Sequence, residues 1–179
     1  HEVRTPLNGV IAMAELLQDS DLNEQQRSGL EVTSQSGASL LTIINDILDY
    51  TKIEAGKMTV DLHPIDIVDP VDAAVRMIRR RAEDKEIALT LVANPDLPLV
   101  EADHRAIRQM ILNLVSNAIK FTDEGGEIRV SVGRKDEEIR IAVRDNGIGI
   151  PADALPRLGE PFEQVSDTRD RNYDGTGLG

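Results

Sequence analysis

The chain has 179 residues, with 20 Lys and Arg against 32 Asp and Glu, and its formal charge is -12 at pH 7. A chain this acidic repels nucleic acid and, with two Tyr, two Phe and no Trp, has few rings to stack on bases, so we expect no nucleic-acid binding. The absence of Cys excludes disulfides and thiolate chemistry, and no apolar run approaches the ~18 residues of a membrane span, so we expect no membrane contact by this chain.

Residues 1 to 57 predict two helices that form a hairpin. Apolar residues recur at alternating steps of four and three from Val3 to Leu17, and a second, wider seam runs from Leu30 to Thr51. The stretch between them, Gln18 to Asn23, is typical of a turn. Because one hairpin cannot cover stripes this wide, we expect a homodimer in which two hairpins form a four-helix bundle. The residues expected at its interface are Leu30, Leu40, Ile44, Ile47 and Leu48.

Beyond residue 57 strand and helix periodicities alternate, which indicates an α+β domain over residues 58 to 179. The predicted strands are Met58 to Ile65, Ile87 to Val92, and the paired strands Ile128 to Val132 and Ile139 to Val143. The predicted helices are Asp69 to Ala82 and Asp103 to Phe121. The last thirty residues are rich in Gly and Pro and predict mostly loop.

His1 is the first candidate for chemistry. Helical geometry places His1 and Thr5 opposite the apolar seam, and the neighbouring Glu2 is a carboxylate that could fix the imidazole tautomer and accept a proton. An exposed His is more often inert, and HEVRT lacks the second His of an HExxH zinc site. Pro6 either kinks a helix already running or opens one with Thr5 as its cap, and the residues do not decide between these.

The helix predicted over Asp103 to Phe121 has two amides and a cation on one side. Its predicted apolar face consists of Ile107, Met110, Ile111, Leu114, Ala118 and Phe121. Asn113, Asn117 and Lys120 lie about a quarter-turn away, where amide oxygens and an ammonium group can meet a metal and a phosphate from one side. A solvated flank would explain one Asn, but two such poor helix formers in mid-helix favour a functional reason.

Two glycine motifs follow. RDNGIGI, from Arg144 to Ile150, ends a predicted strand, and its Asn-Gly pair is also typical of a simple hairpin turn. GTGLG, from Gly175 to Gly179, lacks the preceding strand of a dinucleotide fingerprint and the Lys of a P-loop, and a flexible tail is its alternative interpretation.

In their order and spacing, these motifs, with EPFEQV before GTGLG, resemble those of the sensor histidine kinases of two-component systems, of the hybrid type. The resemblance covers essentially the whole chain. It implies a dimerisation and histidine phosphotransfer hairpin over residues 1 to 57 and an ATP-binding domain over residues 58 to 179, an α/β two-layer sandwich of the Bergerat type. It also implies ATP and Mg²⁺ as cofactors, a response regulator receiver domain as partner, and a cytoplasmic location, with membrane anchoring of a full-length parent left open.

The resemblance assigns roles to the residues of the first helix. His1 matches the phosphorylated histidine, and Glu2 matches its neighbouring base. Thr5 matches a position linked in this family to dephosphorylation of the partner regulator.

In the ATP-binding domain, Asn117 matches the magnesium-binding asparagine, and Asn113 and Lys120 match positions near the phosphates. Asp145 matches the aspartate that bonds the adenine amino group. The remaining matches are Gly147 and Gly149 lining the nucleotide, Phe162 at the start of a mobile lid, and Gly175, Thr176, Gly177, Leu178 and Gly179 in the loop behind the phosphates. The family continues beyond GTGLG with a helix and further strands, so the resemblance implies a domain truncated at its C-terminus.

Two other functions share parts of this pattern. ATPases of the gyrase or mismatch-repair class share the Bergerat fold but place a water-activating Glu four residues before the metal-binding Asn. Here that position is Asn113, whose amide cannot activate water, so transfer to His1 is favoured over hydrolysis. Intact His1, Asn117 and Asp145 argue against a catalytically idle dimer scaffold.

Overall fold

The structure is a computed structural model that describes residues 3–18 and 20–157, with the side chain at position 46 left out. The chain divides into two compact units, of which the first ends at Met58 and the second begins at Thr59.

The first unit is a pair of packed helices, α1 (Arg4–Gln18) and α2 (Glu24–Glu54). Asn23 begins α2 with a capping box: its side chain accepts from Gln26 N at 2.9 Å, and the Gln26 side chain accepts from Asn23 N at 3.0 Å. The helices approach closely at Gly37, where an added Cβ would lie 2.8 Å from Cγ1 of Ile11. The predicted helical hairpin is therefore confirmed.

Little of this unit is buried. Among its described residues only Ala14 and Gly37 are buried, so the hairpin leaves most of its apolar side chains at least partly in water. The large apolar residues that are exposed include Val10, Met13, Leu16, Val32, Leu40, Ile43, Ile47 and Ile53. Apolar surface of this extent is typical of an interface between chains.

The second unit combines two helices with two small sheets. Its helices are α3 (Val68–Asp84) and α4 (His104–Phe121), and its strands are β1 (His63–Ile65), β2 (Ala88–Ala93), β3 (Val100–Ala102), β4 (Glu127–Lys135) and β5 (Glu138–Asp145). Strand β1 pairs with β3 in antiparallel fashion. In the other sheet the order is β2-β4-β5, with β2 parallel and β5 antiparallel to β4.

The core lies between the helices and one face of the three-stranded sheet. Alternate residues of β4 are buried, and α3 and α4 each contribute one buried stripe. The central residues are Val71, Ala74, Val75 and Ile78 from α3, Ile111, Val115, Ala118 and Ile119 from α4, and Ile128, Val130 and Val132 from β4. Burying apolar surface here stabilises the unit by about 25 cal/mol per Å². The predicted α+β two-layer arrangement is confirmed.

Two details of the sequence prediction are wrong. The predicted strand Met58 to Ile65 is a strand only over His63–Ile65, because its partner β3, which the sequence did not predict, is three residues long. The buried face of α4 is rotated by about 70° from the predicted one. Met110 and Leu114, predicted as core residues, are 51% and 53% exposed.

Within the described part of the chain, no helix combines the length and the apolar character needed to span a bilayer.

Candidate functional site

Backbone hydrogen bonds hold the C-terminal end of α4 against the loop that follows β5. Ile148 N donates to the carbonyl oxygen of Phe121, the last residue of α4, at 3.1 Å. Gly147 lies against the same carbonyl so closely that a Cβ at this position would overlap it. The glycine is therefore required by a close backbone approach, and the structure brings the predicted base-binding motif to the end of the Asn-bearing helix.

Asp145, the last residue of β5, is the exposed acid of this loop. One carboxylate oxygen, Oδ1, accepts from Gly147 N at 3.0 Å. The other oxygen makes no hydrogen bond within the part of the chain that the structure describes. A carboxylate accepts but does not donate, so it suits a ligand amino group. The alternative of a simple hairpin turn at Asn146 and Gly147 is wrong, because Ile148 bonds to the end of α4 and residues 146–157 form no strand.

Asn113, Asn117 and Lys120 lie off the buried stripe of α4, within about 60° of one another. Asn113 is half-buried and accepts from Gln109 Nε2 at 3.2 Å. Asn117 is exposed, and its amide has no hydrogen-bond partner among the described residues. The ammonium of Lys120 lies 5.0 Å from the centre of the Phe121 ring, a cation-π contact.

The side chains on this part of α4 fit a magnesium ion that is bound mainly by phosphate oxygens. The described residues contain no group of three or more His, Cys, Asp or Glu side chains that could hold a metal by themselves. Mg²⁺ commonly takes one or two protein oxygens and completes its shell with water and substrate phosphates. The unpaired amide of Asn117 can supply one such oxygen.

Both ends of α4 are held by residues that sequence analysis did not identify. Asp103 is the N-cap and is only 8% exposed; its Oδ1 accepts from Arg105 N at 2.8 Å, and its Oδ2 accepts from Asp61 N at 3.1 Å. The hydrogen bond from Asp61, together with those from the helix backbone, lowers the pKa of Asp103. At the other end, Lys85 Nζ donates to the carbonyls of Ile119 at 2.8 Å and Lys120 at 3.2 Å.

An apolar hollow of about 550 Å³ lies elsewhere in the second unit. Its lining includes Ile107 near the start of α4 and Ile139 and Ile141 in the first half of β5. These are the ends opposite Phe121 and Asp145, so the hollow is separate from the candidate site.

Several predicted site residues lie outside the described residues. They are His1, Glu2, Phe162, Gly175, Thr176, Gly177, Leu178 and Gly179. Of the others, Thr5 lies exposed in the first turn of α1, and Gly149 has a φ of 73°, a left-handed conformation that favours glycine.

Comparison with known families identifies both units. Residues 1–56 match the His Kinase A (phospho-acceptor) domain, and residues 102–179 match the family of histidine kinase-, DNA gyrase B- and HSP90-like ATPases. The chain belongs to the sensor histidine kinases. The family predicted from the motifs is thus confirmed.

Curated relatives and a solved structure agree with this assignment. The chain is 38% identical over 182 residues to histidine protein kinase DivJ of Caulobacter vibrioides, matching 100% of this chain and 30% of DivJ. It is 41% identical over 184 residues to hybrid signal transduction histidine kinase B of Dictyostelium discoideum, matching 100% of this chain and 9% of that protein.

The crystal structure of full-length ShkA in complex with AMPPNP matches 99% of this chain and 37% of ShkA, with a TM-score of 0.79 and 36% identity. The chain thus spans about a third or less of the length of these relatives.

Proposed function

We propose that this chain is a kinase core that uses ATP and Mg²⁺ to phosphorylate His1 and then passes the phosphoryl group to an aspartate of a response regulator receiver domain. The observation that supports this most is the hydrogen-bonded junction of α4 with the loop after β5. It joins an acceptor suited to adenine, Asp145, to a helix end with an amide and an ammonium group, Asn117 and Lys120.

The site binds the nucleotide at its adenine and at its phosphates. The free oxygen of Asp145 accepts from the exocyclic amine of adenine. Guanine presents an oxygen at that position, so two hydrogen-bond acceptors, the guanine oxygen and the carboxylate, would face each other. Asn117 holds the magnesium ion, and Asn113 and Lys120 lie beside the phosphates. Bound Mg²⁺ would neutralise phosphate charge, and the chain would position the nucleotide. Phosphoryl transfer depends mainly on these two contributions.

His1 acts as the nucleophile. An imidazole attacks only in its neutral form, in which one ring nitrogen carries a free electron pair. A P–N bond forms as the bond from the γ-phosphorus to the bridging oxygen breaks, ADP leaves with the electron pair, and the ring proton passes to Glu2. Thr5, exposed in the first turn of α1, takes part in dephosphorylation of the regulator.

The other proposed elements complete this core. Gly147, Gly149 and the loop of Gly175, Thr176, Gly177, Leu178 and Gly179 line the nucleotide, and Phe162 begins the lid. We assign residues 1 to 57 to phosphotransfer and homodimerisation and residues 58 to 179 to ATP binding. A cytoplasmic location follows, since ATP is available there.

Hydrolysis by a gyrase-like mechanism is less well supported. The position four residues before Asn117 is Asn113, and its side-chain oxygen already accepts a hydrogen bond from Gln109. An amide has no basicity with which to activate water.

The chemical stability of the product tests this proposal. After incubation with Mg²⁺ and ATP labelled at the γ-phosphate, we expect label on the protein that is lost in acid and retained in alkali, as a phosphoramidate requires. Asn117→Asp should reduce labelling more than it reduces binding of metal-free ADP. Release of free phosphate with no label on the protein would support an ATPase instead.

A further inference from the structure

We propose that Asn146 is a positioning residue that orients Asp145 for adenine by ending the β4-β5 ladder with its side chain. The inference rests on the proposed function. It concerns the residue between Asp145 and Gly147, to which the sequence motif assigned no role.

The last rung of the ladder is unusual. Asp145 is paired with Ile128, so the next rung would join Asn146 to Glu127 through both backbone groups. One half is present, since Asn146 N donates to Glu127 O at 3.3 Å. In the other half Glu127 N donates at 2.8 Å to the side-chain oxygen of Asn146, in place of its backbone carbonyl.

Because the side-chain oxygen of Asn146 takes the place of its backbone carbonyl as the acceptor, the main chain can leave the sheet here. With Glu127 N satisfied by a side chain, the carbonyl of Asn146 need not remain in the ladder, and the next two residues turn to α4. There Gly147 lies against the Phe121 carbonyl, and Ile148 donates to it. A side-chain acceptor that replaces a backbone acceptor is the usual way in which Asn supports a turn.

The Asn146 side chain is exposed, but its oxygen lies close to Gly126. An added Cβ at Gly126 would overlap the methyl group of Thr122 and lie 2.9 Å from Asn146 Oδ1. Thr122 itself is 1% exposed. Gly126 thus leaves the space in which the Asn146 oxygen reaches Glu127 N.

Asp145 is therefore held by the residues that follow it. The Asn146–Glu127 rung and the Ile148–Phe121 hydrogen bond fix the main chain after Asp145, and its own Oδ1 accepts from Gly147 N. Loss of the side-chain acceptor at position 146 leaves Glu127 N unpaired unless the Asn146 carbonyl returns to the ladder. That return would move Gly147 and turn the Asp145 carboxylate away from adenine.

The test compares three variants with the unmodified protein, using ATP and GTP as ligands. Asn146→Ala removes the acceptor, and Asn146→Asp retains an oxygen at the same place. Asn94→Ala is the matched control, because Asn94 is an exposed Asn that follows β2 in the same sheet and its side chain has no hydrogen-bond partner among the described residues. Affinities are measured by calorimetry, and labelling rates at saturating ATP.

For Asn146→Ala we expect about tenfold weaker ATP binding, the effect of roughly one lost hydrogen bond. GTP binding should change less, so the preference for ATP should fall, while the rate at saturation stays within about twofold. Asn146→Asp should restore the preference, and Asn94→Ala should keep it. A fold defect alone would weaken both nucleotides equally and would not be rescued selectively.

An unchanged preference in Asn146→Ala, or a failure of Asn146→Asp to restore it, would overturn the inference. If Asn146→Ala does not fold, Asn146→Ser, whose hydroxyl is too short to reach Glu127 N, serves in its place with the same expected result. Failure of the proposed function is distinguished by the unmodified protein, which would then bind ATP and GTP equally.

Discussion

At the scale of single residues, the proposed function makes Asp145 the residue that selects adenine. Its Oδ1 is held by Gly147 N at 3.0 Å, so an Asn at this position would keep its carbonyl oxygen there and turn its NH₂ toward the base. Two donors would then face each other. We expect Asp145→Asn to bind ATP at least about tenfold more weakly and to lose the preference over GTP, as measured by calorimetry.

The control for this substitution is Asp153→Asn, at an exposed acid that has no hydrogen bond or ion pair within the described residues. It should bind ATP as the unmodified protein does. An Asp145→Asn protein with normal ATP affinity would show that the adenine pocket lies elsewhere.

At the scale of elements, α4 presents Asn117 and Lys120 from a helix that is anchored at both ends. Lys85, half-buried after α3, donates to the carbonyls of Ile119 and Lys120. A cation there also interacts favourably with the negative end of the helix dipole. Replacing Lys85 by Met keeps the aliphatic length but removes the donors.

We expect Lys85→Met to lower the stability of the second unit by roughly 1 kcal/mol, or about 4 °C in Tm, measured by thermal unfolding. Lys135→Met is the matched control, because the Lys135 side chain is exposed and its ammonium group has no hydrogen bond or ion pair among the described residues. Equal Tm values for the two variants would contradict a role of Lys85 at the helix end.

The other anchor of α4 makes stability depend on pH. The hydrogen bond from Asp61 N, with those from the helix backbone, lowers the pKa of Asp103 in the folded protein. A lowered pKa contributes stability above the unfolded value of about 4, and this contribution is lost as the pH falls through the folded value. Asp103→Asn should therefore be less stable than the unmodified protein at pH 7.

We expect the difference in Tm between Asp103→Asn and the unmodified protein to shrink as the pH is lowered from about 5 to 2. Comparing the two proteins removes the contribution of the other carboxylates, and Asp153→Asn should follow the unmodified protein throughout. A difference that stays constant over this range would mean that the charge of Asp103 does not contribute.

Local patterns predicted the helices and the long strands well. Helices α3 and α4 lie within two residues of their predicted bounds, because the apolar period is a local signal. The pair β1-β3 was missed because three residues are too few to show a period and because its pairing joins segments far apart in the chain.

The placement of Asn113, Asn117 and Lys120 on one side of α4 also followed from a local pattern, whereas the contacts that hold this helix did not. Met110 and Leu114 have the spacing of core residues, yet the packing of α4 against α3 and the sheet buries Val115 and Ile119 instead. The hydrogen bonds made by Lys85, Asp103 and Asn146 join residues 34, 42 and 19 positions apart, so no local sequence pattern predicts them.

At the scale of the whole molecule, the first unit needs a partner to cover its apolar surface. Leu40 and Ile47 are 47% and 39% exposed, whereas Ile44 is half-buried on the same stripe of α2. We expect light scattering at micromolar concentration to report a homodimer and the double variant Ile44→Glu, Ile47→Glu to be monomeric, because charges cannot be buried there without partners.

The control is Val32→Glu. Val32 is 60% exposed on α2 but lies about 90° from the centre of the stripe formed by Leu40, Ile44 and Ile47, so the dimer should persist. A monomeric unmodified protein, or a dimer that survives both charges, would contradict this arrangement.

The central claim is that the bound ATP phosphorylates His1, and replacing each histidine in turn tests it most directly. The chain has three His, so His1→Gln, His63→Gln and His104→Gln form a complete set. With γ-labelled ATP and Mg²⁺, we expect His1→Gln to bind ATP normally and take up no label, while the other two are labelled like the unmodified protein. Label that persists in His1→Gln, or that is lost only in His63→Gln or His104→Gln, would contradict the account.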